Sequence, residues 1–175
     1  MTKNPPLSRP RRYHWAASQI AAAPSDRLLE IGCGSGITTE IICERLTTGA
    51  ITAIDRSPGM IRIARERNSS YIASGLATIE AADFASAHFT RQAFDKIFAI
   101  NVSLFWLGDP SAMMRRAAKF LAAQGKLVII FERPAAVAGG IADRIRSHLT
   151  RAGLTLTAQV HEDTLVCLTA SVSDV

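Results

Sequence analysis

Apolar residues along this chain alternate between two arrangements: short continuous runs, and stretches where they recur every three or four positions. The runs fall at residues 27–31, 50–54, 77–81, 96–100 and 126–131. Continuous apolar character suits strands buried on both faces of a parallel sheet. Helical stretches lie between them. One covers residues 10–22 and stops before Pro24, and a second leaves a glycine loop and runs to about Leu46. A third opens at Ser57-Pro58, with Ser57 as N-cap and Pro58 in the first helical position. Asp109-Pro110-Ser111 starts a fourth, which Gly125 is expected to stop. Ile141, Ile145, Leu149 and Ala152 mark one face of a last helix ending at Gly153. Residues 154–160 and 164–170, split by His161-Glu162-Asp163, read as a hairpin. The order predicts an α/β fold: a doubly wound, seven-stranded, mostly parallel sheet with one antiparallel C-terminal strand, between two helical layers.

Composition agrees with one domain. At 175 residues and 48% apolar content there is material for a single core and none for a second. The net charge of +5 is concentrated at one end, because residues 1–25 carry Lys3, Arg9, Arg11 and Arg12 and no acid. Residues 1–12 are therefore expected to form a flexible basic arm, and residues 13–175 the domain. Arg11-Arg12 followed by an alanine-rich stretch imitates a secretion signal, but Ser18 and Gln19 interrupt it and an amphipathic helix explains it better. Cys33, Cys43 and Cys167 are odd in number and widely spaced, which suggests reduced thiols in a cytoplasmic protein. His88, His148 and His161 are isolated, so no metal is expected. Nor does an apolar run approach membrane-spanning length.

The chemistry concentrates where the first strand ends. Leu28-Leu29-Glu30-Ile31 leads into Gly32-Cys33-Gly34-Ser35-Gly36, and Thr38-Thr39-Glu40-Ile41-Ile42 carries a helical pattern away. Glycines reach positive φ, and without Cβ atoms they admit a ligand against bare backbone. The dinucleotide spacing G-x-G-x-x-G fails, since its third glycine falls on Ile37 counting from Gly32 and on Thr39 counting from Gly34. No G-K-[ST] follows, which excludes a P-loop. A G-x-S-x-G elbow fails too, because Cys33 and Ile37 stand where its glycines belong. The run is E-x-G-x-G-x-G, and the Glu30 carboxylate would repel a pyrophosphate but welcome an ammonium group.

This pattern resembles the first motif of the class I S-adenosylmethionine-dependent methyltransferases, and the likeness extends over residues 26–170. It implies a Rossmann-like αβα sandwich, S-adenosylmethionine as cofactor, and methyl transfer by direct in-line displacement. Glu30, Gly32, Cys33, Gly34 and Gly36 would surround the cofactor at the turn. Asp55, at the end of the second strand, would accept the ribose hydroxyls. In Arg56-Ser57-Pro58-Gly59-Met60 the resemblance sets Met60 against the adenine face, with Arg56 beside it. Asp83 would accept the adenine amino group while Phe84 walls the ring, and Asn101 would face the methyl-donor end. On the acceptor side the candidates are Tyr13, His14, Trp106 and Glu132.

A sulfonium methyl is already activated, so holding an acceptor in line is the main task and no catalytic residue is assigned. A general base is needed only for an acceptor that arrives protonated. The N/D-P-P-Y/F/W run of amino-methylating enzymes is missing at Asn101-Val102-Ser103-Leu104, and no Pro-Cys pair offers a covalent nucleophile. A small-molecule acceptor is the expectation. Two alternatives are a nucleic-acid methyltransferase using the basic arm, and a cofactor-binding regulator without turnover. A nicotinamide oxidoreductase is opposed by the glycine spacing.

Overall fold

The computed structural model describes residues 10–89 and 93–173. Of the basic arm, residues 1–9 lie outside the described residues. Arg11 and Arg12 open the first helix, α1 (Arg11–Ile20). There follow β1 (Arg27–Ile31), α2 (Ile37–Cys43), β2 (Ala50–Asp55), α3 (Pro58–Arg67), a short α4 (Ser69–Ala73), β3 (Ala77–Ala81) and β4 (Phe94–Ile100). A single 3₁₀ turn, Ser103–Phe105, precedes α5 (Ser111–Phe120), β5 (Leu121–Glu132), α6 (Ala135–Arg151) and the hairpin β6 (Leu154–Glu162) and β7 (Leu165–Val172).

The seven strands lie in the order β3-β2-β1-β4-β5-β7-β6. Five are mutually parallel neighbours, and β7 runs antiparallel between β5 and β6. Alternation along β1 assigns its faces. Leu28 packs with Trp15, Ile20, Ile41 and Ile42 of α1 and α2. Leu29 and Ile31 pack on the opposite face with Met114 of α5 and Ile145 of α6. Glu30, two residues after Leu28, therefore points into the α1–α2 layer, where only 2% of it is exposed. Asp95 is structural, accepting the Arg27 amide at 2.8 Å.

Most element limits follow the hydrophobic pattern. Ser57 caps α3 as expected, its Oγ accepting the Met60 amide at 3.3 Å with Pro58 behind it. Two helices end earlier than expected, α1 at Ile20 and α2 at Cys43, and one boundary differs in kind. The fourth expected helix ends at Phe120, and Leu121 passes straight into extended backbone. Gly125 therefore lies inside β5 and does not end the helix. A Cβ at Gly125 would stand 2.7 Å from the Phe94 carbonyl oxygen, so glycine permits a close approach there. The ladder shifts at this point, from Phe94 opposite Leu121 to Lys96 opposite Lys126.

Candidate functional site

Strand order reverses direction between β1 and β4, and open α/β sheets hold ligands at that crevice. Two cavities meet there. The larger, of about 690 Å³, runs from Asp55 and Asp83 past Asn101 to Leu104 and Met113. The smaller, of about 260 Å³, lies over the glycine turn, with Glu30 among its lining residues and Arg12 and Tyr13 of α1 on its wall. Gly32 and Asn101 border both.

The turn is shaped by its glycines, and Gly32, Gly34 and Gly36 all have positive φ. Each has a different neighbour. A Cβ on Gly32 would lie 2.5 Å from a Val102 methyl, and one on Gly36 would lie 2.6 Å from Asn68 Nδ2. One on Gly34 would meet nothing within 4 Å. Gly32 and Gly36 thus serve close packing, whereas Gly34 borders open space.

Three successive backbone amides of the turn are already committed. Gly32 and Cys33 both donate to the Ile54 carbonyl, at 2.8 and 3.0 Å, and Gly34 donates to Asp55 Oδ2 at 2.9 Å. These three amides are therefore not offered to a pyrophosphate. Asp55 Oδ1 accepts the Ser57 amide at 2.9 Å, so this carboxylate ties β2 and the start of α3 to the turn. Two backbone bonds leave lone pairs on both oxygens, and these are open to ligand hydroxyls.

Glu30 sits behind the turn. Thr39 Oγ1 donates to its Oε2 at 2.5 Å. Burial pushes its carboxyl up to about 8, opposed by the Thr39 and Thr38 hydrogen bonds and reinforced by Asp55. Cys33 Sγ is buried with Ala53, Ile61 and Ile79, and its thiol is pushed up by the same desolvation.

The remaining sequence candidates divide. Arg56 and Asp83 line the larger cavity and face each other at 3.9 Å on its rim. Phe84 borders that cavity but is buried against Phe89 and Phe105, and Arg116 Nε donates to its carbonyl. Met60 is 42% exposed and is not among the cavity-lining residues. Asn101 leaves β4 in the left-handed region, at φ 57°, and its Oδ1 accepts the Glu132 amide at 2.9 Å. Tyr13 walls the smaller cavity, whereas His14 is exposed and lines neither. Trp106 is buried with its ring on Phe131. Glu132 stands at the β5 tip, 3.7 Å from Arg12.

Three residues at the site escaped the sequence reading. Asn68 is buried, and its Nδ2 bridges the Gly36 and Ala64 carbonyls at 3.0 and 2.9 Å. Arg67 Nε donates to the Ser35 carbonyl at 2.9 Å. Arg12 was grouped with the arm. The signal for all three is positional: each ends or opens a helix next to the turn. Among the described residues no group of histidine, cysteine or carboxylate side chains is arranged to hold a metal ion. His148 instead joins α6 to the start of α5, its Nδ1 lying 2.8 Å from Ser111 Oγ and 3.1 Å from Asp109.

An acid-lined, glycine-walled crevice at the switch point of such a sheet defines a nucleoside-cofactor-binding domain. Residues 28–125 match the family model described as a methyltransferase domain. The chain is 38% identical over 108 residues to a trans-aconitate 2-methyltransferase of Methylobacterium nodulans, covering 62% of this chain and 38% of that protein. It is 32% identical over 101 residues to a malonyl-[acyl-carrier protein] O-methyltransferase of Acetivibrio thermocellus, covering 57% and 33%. The chain thus spans only about a third to two fifths of the length of these relatives. Among solved structures, the CcbJ methyltransferase of Streptomyces caelestis superposes with a TM-score of 0.80 at 15% identity, covering 95% of this chain and 91% of that one. The chain belongs to the methyltransferase-domain family of the class I S-adenosylmethionine-dependent superfamily.

The residues present fit that cofactor. Gly34 borders vacant space, carboxylates line the crevice, and the Gly32, Cys33 and Gly34 amides are occupied by Ile54 and Asp55.

Proposed function

We propose that the protein transfers a methyl group from S-adenosylmethionine to a small-molecule acceptor by in-line displacement. The observation that carries this is the turn, with open space at Gly34 and a buried carboxylate beneath it. Asp55 would hold the ribose hydroxyls, with Asp83, Arg56 and Phe84 around the base and Met60 at its edge. Glu30, Gly32, Cys33, Gly34 and Gly36 would hold the amino-acid end, with Asn101 beside the reacting carbon. When bound, the cofactor supplies an activated methyl group. The chain's own contribution is orientation and exclusion of water. Tyr13, His14, Trp106 and Glu132 stand on or near the acceptor side, although burial of Trp106 restricts it to shaping the wall.

Relatives named for trans-aconitate and for malonyl-[acyl-carrier protein] support an acyl or small-molecule acceptor over a nucleic acid. Among the described residues no helix is long and apolar enough to cross a membrane. The three cysteines are buried and unpaired, and we take the protein to work in the cytoplasm.

Parallel calorimetric titrations with S-adenosylmethionine, S-adenosylhomocysteine and NAD test the cofactor. Binding of the first two and not of NAD is expected, and the reverse preference would remove the reading. Asp55→Ala should weaken S-adenosylhomocysteine binding by roughly 1–3 kcal/mol, the range for a lost charge-assisted hydrogen bond. An unchanged dissociation constant would take Asp55 out of the site.

A further inference from the structure

We propose that the acceptor is a carboxylic acid, held by Arg12 on the wall of the smaller cavity and by Arg133 at the tip of β5. The inference rests on the methyltransferase reading above and names its substrate class.

Both guanidinium groups flank the tip of β5. Arg12 Nη1 lies 3.7 Å from Glu132 Oε2, and Arg133 Nη1 donates to the Glu132 carbonyl at 2.7 Å. The Glu132 amide is in turn bonded to Asn101, which borders both cavities. Arg12 is stacked over Tyr13, and Arg133 lies over the Trp106 ring. Stacking of this kind presents a planar fork for bidentate contact with a carboxylate.

Charge around these two arginines favours an anion. The acids of the hairpin turn, Glu162 and Asp163, are paired with Arg11. Among the described residues, Glu132 is the acid paired with Arg12. The Arg12–Glu132 pair is beyond hydrogen-bonding distance, with its side chains 40% and 38% exposed. Such a pair is weak and exchangeable.

Deprotonation chemistry points the same way. A phenol or an ammonium acceptor needs a base; no histidine lines either cavity, and the carboxylates of the larger one are engaged by backbone amides, Asp55 by Gly34 and Ser57, Asp83 by Ala85 and Asp109 by Ser111. Tyr13 Oη accepts from Arg12, and Glu30 is buried against Thr39. A carboxylate arrives ionised. Its oxygen lone pair forms the new O–CH₃ bond while the C–S bond breaks, and that bonding pair goes to sulfur. Anion and sulfonium both end neutral, as ester and thioether, and no proton moves.

The test uses the full chain. Calorimetry with S-adenosylhomocysteine comes first, because absence of that binding would defeat the methyltransferase reading itself. With S-adenosylhomocysteine bound, tricarballylate, glutarate, catechol and tyramine are titrated separately. The same four are then assayed with methyl-labelled S-adenosylmethionine, and the products are treated with dilute alkali. The expected result is binding of an acid and label released as methanol, the signature of a methyl ester. Arg133→Gln should raise the acid dissociation constant by roughly 10- to 100-fold with S-adenosylhomocysteine affinity unchanged, and Arg12→Gln, on the wall of the smaller cavity, should weaken the acid more than it weakens S-adenosylhomocysteine. Failure of both acids to bind, alkali-stable label from catechol or tyramine, or variants that weaken only S-adenosylhomocysteine, would each overturn the proposal.

Discussion

Replacing Glu30 by glutamine should make the free protein more stable at pH 9, by on the order of 3–5 kcal/mol, while leaving its stability near pH 5 almost unchanged. The cause lies in where β1 puts this side chain. It is 2% exposed, and burial raises its carboxyl from an ordinary value near 4.5 to about 8. Between those two values the folded protein holds a proton that the unfolded chain has released. The folded state binds more protons throughout that window, so stability falls as pH rises through it. The stabilisation is intact below about 4.5 and gone above about 8. Glutamine keeps the shape and an acceptor for Thr39 Oγ1 but cannot ionise. Urea midpoints for both proteins from pH 5 to 9 measure the difference, and parallel pH profiles would show that Glu30 does not carry it.

The same substitution should act in the opposite direction on the ligand. On the proposed reading, a cofactor ammonium brought near Glu30 favours the ionised carboxylate, so binding expels the proton. Affinity of the parent protein for S-adenosylhomocysteine should rise with pH up to about 8, and that of Glu30→Gln should be lower and flatter over the same range. On that reading, a residue that destabilises the empty protein at alkaline pH has its use when a cation is present. This conflict between stability and site is the mark of a functional position.

Local signals made much of this legible in the chain. Ser57-Pro58 is a cap with a mechanism, and it caps. The glycine run announces positive φ, and all three glycines have it. What sequence could not show depends on tertiary partners. Phe120 continues a helical pattern, but the chain turns extended there because β5 must reach Phe94, a partner 27 residues earlier in the chain. Trp106 stands in the loop after β4 and looks available, yet Phe131 and the α5–α6 layer bury it. Asn101 offers a side chain at a strand end, but its Oδ1 is taken by a backbone amide two strands' turn away in sequence, at Glu132. Arg12 reads as one more charge on a basic arm. Only folding of α1 against α2 brings it to the cavity wall.

Gly36→Ala and Gly34→Leu should separate fold from site within a single turn. Gly36 has φ 73°, and a Cβ there would stand 2.6 Å from Asn68 Nδ2, 3.0 Å from the Ala64 Cβ and 3.1 Å from the Ala64 Cα. The backbone of α3 cannot retreat without carrying its contacts along, so relief falls on Asn68. That side chain is buried and bridges two carbonyls, and moving it leaves them unpaired. Left-handed strain and a disrupted hydrogen-bonded bridge together should cost roughly 2–4 kcal/mol, read as a lowered urea midpoint. Gly34 has φ 51° and open space where its Cβ would go. Gly34→Leu should therefore lose only the strain, roughly 1–2 kcal/mol, and remain folded. Its side chain would nevertheless stand in the volume assigned to the cofactor, and S-adenosylhomocysteine binding should vanish from calorimetry. A folded Gly34→Leu protein with parental affinity would move the ligand off this turn. Because Gly36→Ala threatens the fold and Gly34→Leu spares it, loss of binding in the second cannot be put down to unfolding.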